Sequence, residues 1–568
     1  MRILLCGLSC ALIMVQCSST KNIAAFSPYS YTPHKRVVAE KGAVASAHPL
    51  ASKVGVQILQ EGGNAVDAAI ATQLALAVVY PNAGNIGGGG FMVARLSNGE
   101  TLALDYREMA PAKAYRDMYL DPQGNVIPDK SLKGHLSSGV PGTVAGLFEE
   151  HKYARLSFKK LIQPAIDLAE KGYVLTEREA NSLNGVQEQL QKYNTRTNAF
   201  EKEHWKKGDT LVQTELANTL KRIRDNGAEG FYKGGTARLL LEEMKRGGGI
   251  MNEMDLQNYK AKWRQPHQFT YKGYTVVSMP MPSSGGTLLH QMLKMVEDRP
   301  LSSYGHDSPV AVQLMTEVER RAYADRAQYM GDADFFAVPE STLVSDAYLK
   351  KRMKDYVAGK AGNSELVKPG KIPMKESEET THISIMDKDG NMVSVTTTLN
   401  DSYGSKTVVG GAGFFLNDEM DDFSTKPGVP NMYGAVGGEA NAIAPGKRML
   451  SSMTPTVVLK DNKPFMVVGT PGGTTIPTSV FQSIVDVIDF GMNADDAVNK
   501  PKFHHQWLPD QLDVEKSFPE GTRKLLEQMG YTIKERPSLG RVEMILVTRE
   551  GKMEAVADSR GDDGAEGW

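Results

Sequence analysis

The stretch Thr380-Thr381-His382-Ile383-Ser384-Ile385-Met386-Asp387-Lys388-Asp389-Gly390-Asn391-Met392-Val393-Ser394-Val395-Thr396-Thr397-Thr398-Leu399-Asn400 decides the fold. His382 to Met386 and Met392 to Thr396 each alternate with the period of a strand, and Asp387 to Asn391 lie between them. A three-residue loop, Lys388-Asp389-Gly390, with Gly390 in the left-handed position makes Asp387 the partner of Asn391 and brings Thr398 opposite Thr380. A hydroxyl at the first position of such a strand suits a threonine nucleophile freed by cleavage of the bond before it. The new α-amine then serves as the base, because an α-amino group titrates near neutrality whereas a lysine does not. Taken alone, the same stretch also reads as a Thr-rich exposed hairpin, since β-branched residues favour strands.

Working outward, residues 351–379 carry many Lys, Gly, Ser and Glu and little apolar periodicity, which predicts a flexible surface segment ending where the nucleophile begins. Residues 45–175 alternate short strands (Phe91 to Ala94, Thr101 to Asp105) with Ala-rich helical pattern (Ala65 to Val79, Leu161 to Lys171), the mark of mixed α/β layers. The apolar run Ala65 to Pro81 is interrupted by Asp67 and Gln73, so it predicts a helix buried in a core rather than a membrane span. From Glu177 to Arg264 the pattern is charged and mostly helical, and a peripheral helical excursion is expected. Strands follow at Tyr274 to Ser278, Thr456 to Leu459 and Met466 to Val468.

Lys plus Arg number 65 against 67 Asp plus Glu, a net charge of −2 that gives no electrostatic case for nucleic acid or an anionic surface. The three cysteines, Cys6, Cys10 and Cys17, all fall in an N-terminal stretch that runs apolar from Ile3 to Val15 after Arg2. Residues 1–25 therefore read as a secretory signal segment, and export to the periplasm or the extracellular space is expected. Cys17 resembles a lipoprotein attachment cysteine that would anchor the protein to a membrane, although Gln16 replaces the usual small residue; ordinary cleavage around residues 20–26 stays open. Either way the mature chain must be stable without disulfides. His504-His505 are adjacent and lack a third ligand at suitable spacing, so no metal site is expected.

Ten segments, in one order from about Ala45 to about Phe503, carry a resemblance to the gamma-glutamyltranspeptidases, a family of self-cleaving N-terminal-nucleophile hydrolases. They are Ala47-His48-Pro49-Leu50-Ala51, Gly62 to Ala68, Asn85 to Phe91, Asp105-Tyr106-Arg107-Glu108, Gly139 to Thr143, Pro282-Ser283-Ser284-Gly285-Gly286, Thr380-Thr381-His382, Asn417 to Phe423, Ser451 to Pro455 and Thr470-Pro471-Gly472-Gly473. The resemblance implies an α+β fold, a four-layer αββα sandwich, built from two chains after cleavage between Glu379 and Thr380. Residues 26–379 would form the large subunit and 380–568 the small one of a heterodimer.

By the same resemblance Thr380 is the nucleophile and Thr398 orients it, while the N–H groups of Gly472 and Gly473 form an oxyanion hole. Arg107 would clamp the α-carboxylate of a glutamyl group, because a guanidinium meets a carboxylate with two parallel hydrogen bonds. Ser451 and Ser452 would add bonds to that carboxylate. Glu419 and Asp422, helped by Asn400, would bind the α-amine, and Tyr433 would cover the substrate from a Gly/Pro-rich loop. The implied substrates are glutathione and other γ-glutamyl compounds, with water, amino acids or dipeptides as acceptors, and no cofactor is required. Two departures, Ser559 where the family often has proline and Thr397 where tyrosine is frequent, bear on substrate and acceptor preference. Rival readings are a related acylase, such as a β-lactam side-chain acylase, which has no use for both Arg107 and the Glu419/Asp422 pair, and a non-catalytic exported binding protein.

Overall fold

A computed structural model describes residues 26–369, 381–426 and 439–568. The hairpin read from the sequence is present: Thr381–Asp387 pairs antiparallel with Met392–Thr398, from Thr381 opposite Thr397 to Met386 opposite Met392. Asp387 N–H donates to Asn391 O and Gly390 N–H to Asp387 O, both at 3.1 Å, with Gly390 at φ 82 as the loop requires. Glu379, Thr380 and Tyr433 lie outside the described residues.

The hairpin is the centre of a seven-stranded antiparallel sheet, in the order Gly564–Gly567, Gly42–Ser46, Thr381–Asp387, Met392–Thr398, Gly89–Arg95, Thr101–Asp105, Lys262–Arg264. A second antiparallel sheet of seven runs Arg36–Ala39, Met553–Ala557, Glu543–Val547, Lys463–Gly469, Thr456–Lys460, Tyr274–Ser278, His267–Tyr271.

Strand alternation separates the layers. Val44, Met92, Ala94, Ile383, Ile385, Val393 and Val395 pack outward with the helices Pro49–Gln60, Ala65–Val79 and Phe158–Lys171. Their neighbours Ala43, Ala45, Phe91 and Val93 join the core of the second sheet, whose other face meets Gly285–Glu297, Pro309–Tyr329 and Thr475–Ile488. The result is the expected αββα sandwich.

Ala65–Val79 is buried at every residue, and its small side chains let it lie close against the sheet. Asn64 Oδ1 accepts the N–H groups of Val66 and Asp67 while Asp67 Oδ2 accepts that of Asn64, a reciprocal cap contributing about 1 kcal/mol. The hairpin turn completes the helix start: Asp387 Oδ2 accepts Ala65 N–H at 2.9 Å.

Two expectations need correction. The region from Glu177 to Arg264 is mostly helical but not peripheral: Leu183, Leu190, Leu216, Leu220, Ile223 and Leu240 join the first core, and Lys262–Arg264 is an edge strand of the hairpin's sheet. Its charged outer faces hid an apolar stripe spread over several helices. The described part of 351–379 is also partly pinned, since Trp507 Nε1 donates to Ser364 O at 3.0 Å and Val367 O at 2.9 Å. His504 and His505 are both buried and engaged elsewhere, His504 with Thr478 and Gln506, His505 with Trp507 N–H and Asp510.

Candidate active site

At the open end of the hairpin, one peptide bond from Thr380, Thr381 faces Thr397 and His382 faces Thr396. The His382 ring enters the space between the sheets, where Nδ1 meets Thr396 Oγ1 at 2.9 Å and Nε2 meets Ser384 Oγ at 3.2 Å. A Cβ on Gly469 of the facing sheet would fall 2.2 Å from that ring, so only glycine permits the approach. Burial pushes the imidazole down to about 3, and it stays neutral. Ser384 Oγ donates to Glu543 O at 2.9 Å and Ser394 Oγ to Val468 O at 3.2 Å, so polar bonds join the sheets behind the strand start.

Thr398 ends the second hairpin strand opposite Gly89, and its Oγ1 accepts Asn400 N–H at 2.8 Å. Asn400 adopts φ 77, a left-handed conformation that asparagine tolerates, and its Nδ2 reaches Asp418 O at 3.1 Å. Asn85 holds this corner from the other side: Nδ2 donates to Thr398 O at 2.8 Å, and Oδ1 accepts Gly88 N–H at 2.9 Å and Thr143 Oγ1 at 2.8 Å. A Cβ on Gly88 would lie 2.0 Å from Thr398 O, so the glycine run from Gly87 to Gly90 is close backbone packing beside the site.

Arg107 follows the strand Thr101–Asp105, and Asn417 fixes the acidic segment next to it. Asn417 Nδ2 donates to Gly87 O and Gly139 O, while its Oδ1 accepts Gly139 and Glu419 N–H. The short helical turn Glu419–Asp422 is thereby buried, not a solvated loop. Arg107 Nη1 lies 2.5 Å from Glu419 Oε2 and 3.6 Å from Glu108 Oε2, and Nη2 is hydrogen-bonded to Asp422 Oδ2. One guanidinium thus faces three buried carboxyls. Burial pushes Glu108 up to about 8 and Glu419 well above the usual carboxylate range, with Arg107 opposing both shifts.

Ser451 and Ser452 follow Leu450, whose carbonyl lies 3.4 Å from Arg107 Nη2. Asn441 ties this segment to the acidic one, accepting Leu450 N–H at 3.0 Å and donating to Asp422 O at 2.6 Å. Ser451 is set by the turn at 282–284: its N–H donates to Pro282 O at 2.9 Å and its carbonyl accepts Ser284 N–H at 2.7 Å. Gly472 and Gly473, at φ 132 and 56, form the turn from Lys463–Gly469 into the helix Thr475–Ile488. Both conformations favour glycine, and the helix start adds partial positive charge.

Thr398, Asn400, Arg107, Glu419, Asp422, Ser451 and Ser452 therefore form one connected corner, and the Gly472-Gly473 turn follows Gly469, which packs on His382. Sequence reasoning gave no role to Glu108 or Asn85. Glu108 was visible only as the neighbour of Arg107, and Asn85 only as the first residue of a glycine run.

Residues 51–568 match the family model described as gamma-glutamyltranspeptidase. The chain is 47% identical over 561 residues to the glutathione hydrolase proenzyme of Escherichia coli strain K12, covering 97% of each. Among solved structures it is similar to a cephalosporin acylase from Bacillus halodurans, with 26% identity, a TM-score of 0.81 and coverage of 96% of this chain and 99% of that one. It is similar also to the Helicobacter pylori gamma-glutamyltranspeptidase, with 46% identity, a TM-score of 0.57 and coverage of 60% of this chain and 97% of that one.

Proposed function

Because the chain belongs to the gamma-glutamyltranspeptidase family, we propose a role for each residue of its site in the chemistry of that family. The protein is a self-processing threonine N-terminal-nucleophile enzyme that cleaves γ-glutamyl amides, as a gamma-glutamyltransferase and glutathione hydrolase. Cleavage between Glu379 and Thr380 yields a large subunit, 26–379, and a small subunit, 380–568. The Thr380 hydroxyl attacks the γ-carbonyl and its proton passes through the Thr380 α-amine to the leaving nitrogen as the C–N bond breaks. Water or an acceptor amine then attacks the ester, and the Thr380 oxygen regains its proton.

Gly472 and Gly473 N–H groups take the charge that develops on the carbonyl oxygen, and Thr398 orients the nucleophile. Arg107, Ser451 and Ser452 read the α-carboxylate, Glu419, Asp422 and Asn400 read the α-amine, and Tyr433 covers the bound substrate. The observation that carries this reading is the Arg107 cluster: a guanidinium and an excess of carboxyls in one buried corner suit both charges of an amino acid. An acylase for uncharged acyl groups has no need of it, and identity to the acylase structure is well below that to the glutathione hydrolase. Residues 1–25 direct export, with Cys17 as the point of lipid attachment if a lipoprotein peptidase reads it. Intact mass of the purified protein, followed by product analysis on glutathione with and without a dipeptide acceptor, tests the reading. An uncut chain that leaves glutathione intact would refute it.

A further inference from the structure

The 21-residue helix Pro309–Tyr329 is buried from Ala311 to Gln328, charged residues included. Charges buried this way need partners. Arg320 and Arg321 find theirs away from the site: Arg320 pairs with Glu317 and Asp510, Arg321 with Glu317 and Asp355. Tyr323 and Arg326, three residues apart and so on one face, turn toward the site instead.

Tyr323 OH donates to the carbonyl of Thr474, the residue directly after Gly473, and its ring meets His504 edge-on at 5.5 Å. Arg326 Nε donates to Ser284 Oγ at 2.8 Å, and Ser284 Oγ in turn donates to Ser451 O at 2.8 Å. Asp422 opposes part of the burial that pulls the Arg326 guanidinium down to about 9, which places that charge in the field of the acidic segment.

We infer that Tyr323 and Arg326 are positioning residues that set substrate length, one helix holding the Gly472-Gly473 turn through Thr474 and the Ser451-Ser452 turn through Ser284. This rests on the roles proposed above for the two turns. The γ-carbonyl reacts at the first and the α-carboxylate is read at the second, so their separation measures the methylenes between those groups. A γ-glutamyl amide spans it; a β-aspartyl amide is one methylene short.

The test is the ratio of kcat/KM for γ-glutamyl-p-nitroanilide to that for β-aspartyl-p-nitroanilide. One methylene is worth roughly 10–200-fold in such discrimination. Tyr323→Phe and Arg326→Lys should each narrow the ratio by about tenfold, as loss of one buried hydrogen bond near a charge allows. Ser284→Ala breaks the second link from its other end, and it carries the test if Arg326→Lys fails to fold. Arg320→Lys, equally buried but tied elsewhere, should leave the ratio unchanged. An unchanged ratio in Tyr323→Phe and Ser284→Ala, or equal narrowing in Arg320→Lys, overturns the inference. Failure of the underlying reading would look different, because the unaltered enzyme would then not turn over the γ-glutamyl substrate.

Discussion

Arg107 Nη1 lies 2.5 Å from Glu419 Oε2, with both side chains buried. The two residues that were expected to read opposite ends of an amino acid thus sit within contact of each other, in a corner that also holds Glu108 and Asp422. Glu108, Glu419 and Asp422 all lie against the Arg107 guanidinium, so removing it has different consequences from exchanging it.

Arg107→Ala should cost folding stability, about 3–5 kcal/mol, because three buried carboxyls lose the guanidinium they contact. Arg107→Lys keeps a charge but loses the bidentate geometry. It should mature into two chains and raise KM for a γ-glutamyl anilide by an amount equivalent to about 2–5 kcal/mol. Thermal unfolding of the first variant and steady-state kinetics of the second check the pair. An unchanged KM would remove Arg107 from the substrate site.

Thr380→Ala should purify as one uncut chain, because the same hydroxyl starts self-cleavage and attacks substrate. Denaturing electrophoresis of the unaltered protein should show two chains, the smaller, 380–568, about a third of the total length. Normal maturation of the variant would exclude Thr380 as nucleophile.

Turnover should rise with pH through roughly 7 to 8 and then level, since the Thr380 α-amine must be neutral to accept a proton. His382, held neutral by burial down to about 3, titrates outside that window. A rate profile with no inflection between pH 6 and 9, at saturating substrate, would exclude the amine as base.

Glu150 offers a stability test away from the site. Burial pushes its carboxyl up to about 8, with Gln73 Nε2 at 2.8 Å opposing the shift. A raised acid stabilises the fold fully below its unfolded value, and that contribution is lost as pH climbs through the folded value. Tm should therefore fall between about pH 4.5 and 8, each unit of pKa difference being worth about 1.4 kcal/mol. Glu150→Gln keeps the shape, cannot ionise, and should flatten that slope; an equally steep slope in the variant would mean that other groups cause it.

Gly472→Ala meets two obstacles, φ 132 and a Cβ that would lie 2.4 Å from Thr475 Oγ1. The turn must move, and kcat should drop by roughly 10²-fold or more if its N–H groups serve the reacting oxygen. KM should change little, because the α-carboxylate is read elsewhere. A normal kcat in a matured variant would take this turn out of the chemistry.

Features that depend on neighbours along the chain were legible before the fold was known. The hairpin register through Gly390 and the buried helix at Ala65–Val79 both follow from period and turn chemistry within a dozen residues. The candidate site residues came instead from the family resemblance that the motif segments carry. Features that depend on burial and on distant segments meeting came only with the folded molecule. It drew Glu177 to Arg264 into the core, made the acidic turn Glu419–Asp422 a desolvated partner of Arg107, and raised Glu108 toward neutrality. It also gave Tyr323 and Arg326, to which the sequence assigned no role, their contacts with the two turns of the site. Desolvation and long-range hydrogen bonding arise from what packs around a residue, and local sequence does not carry that information.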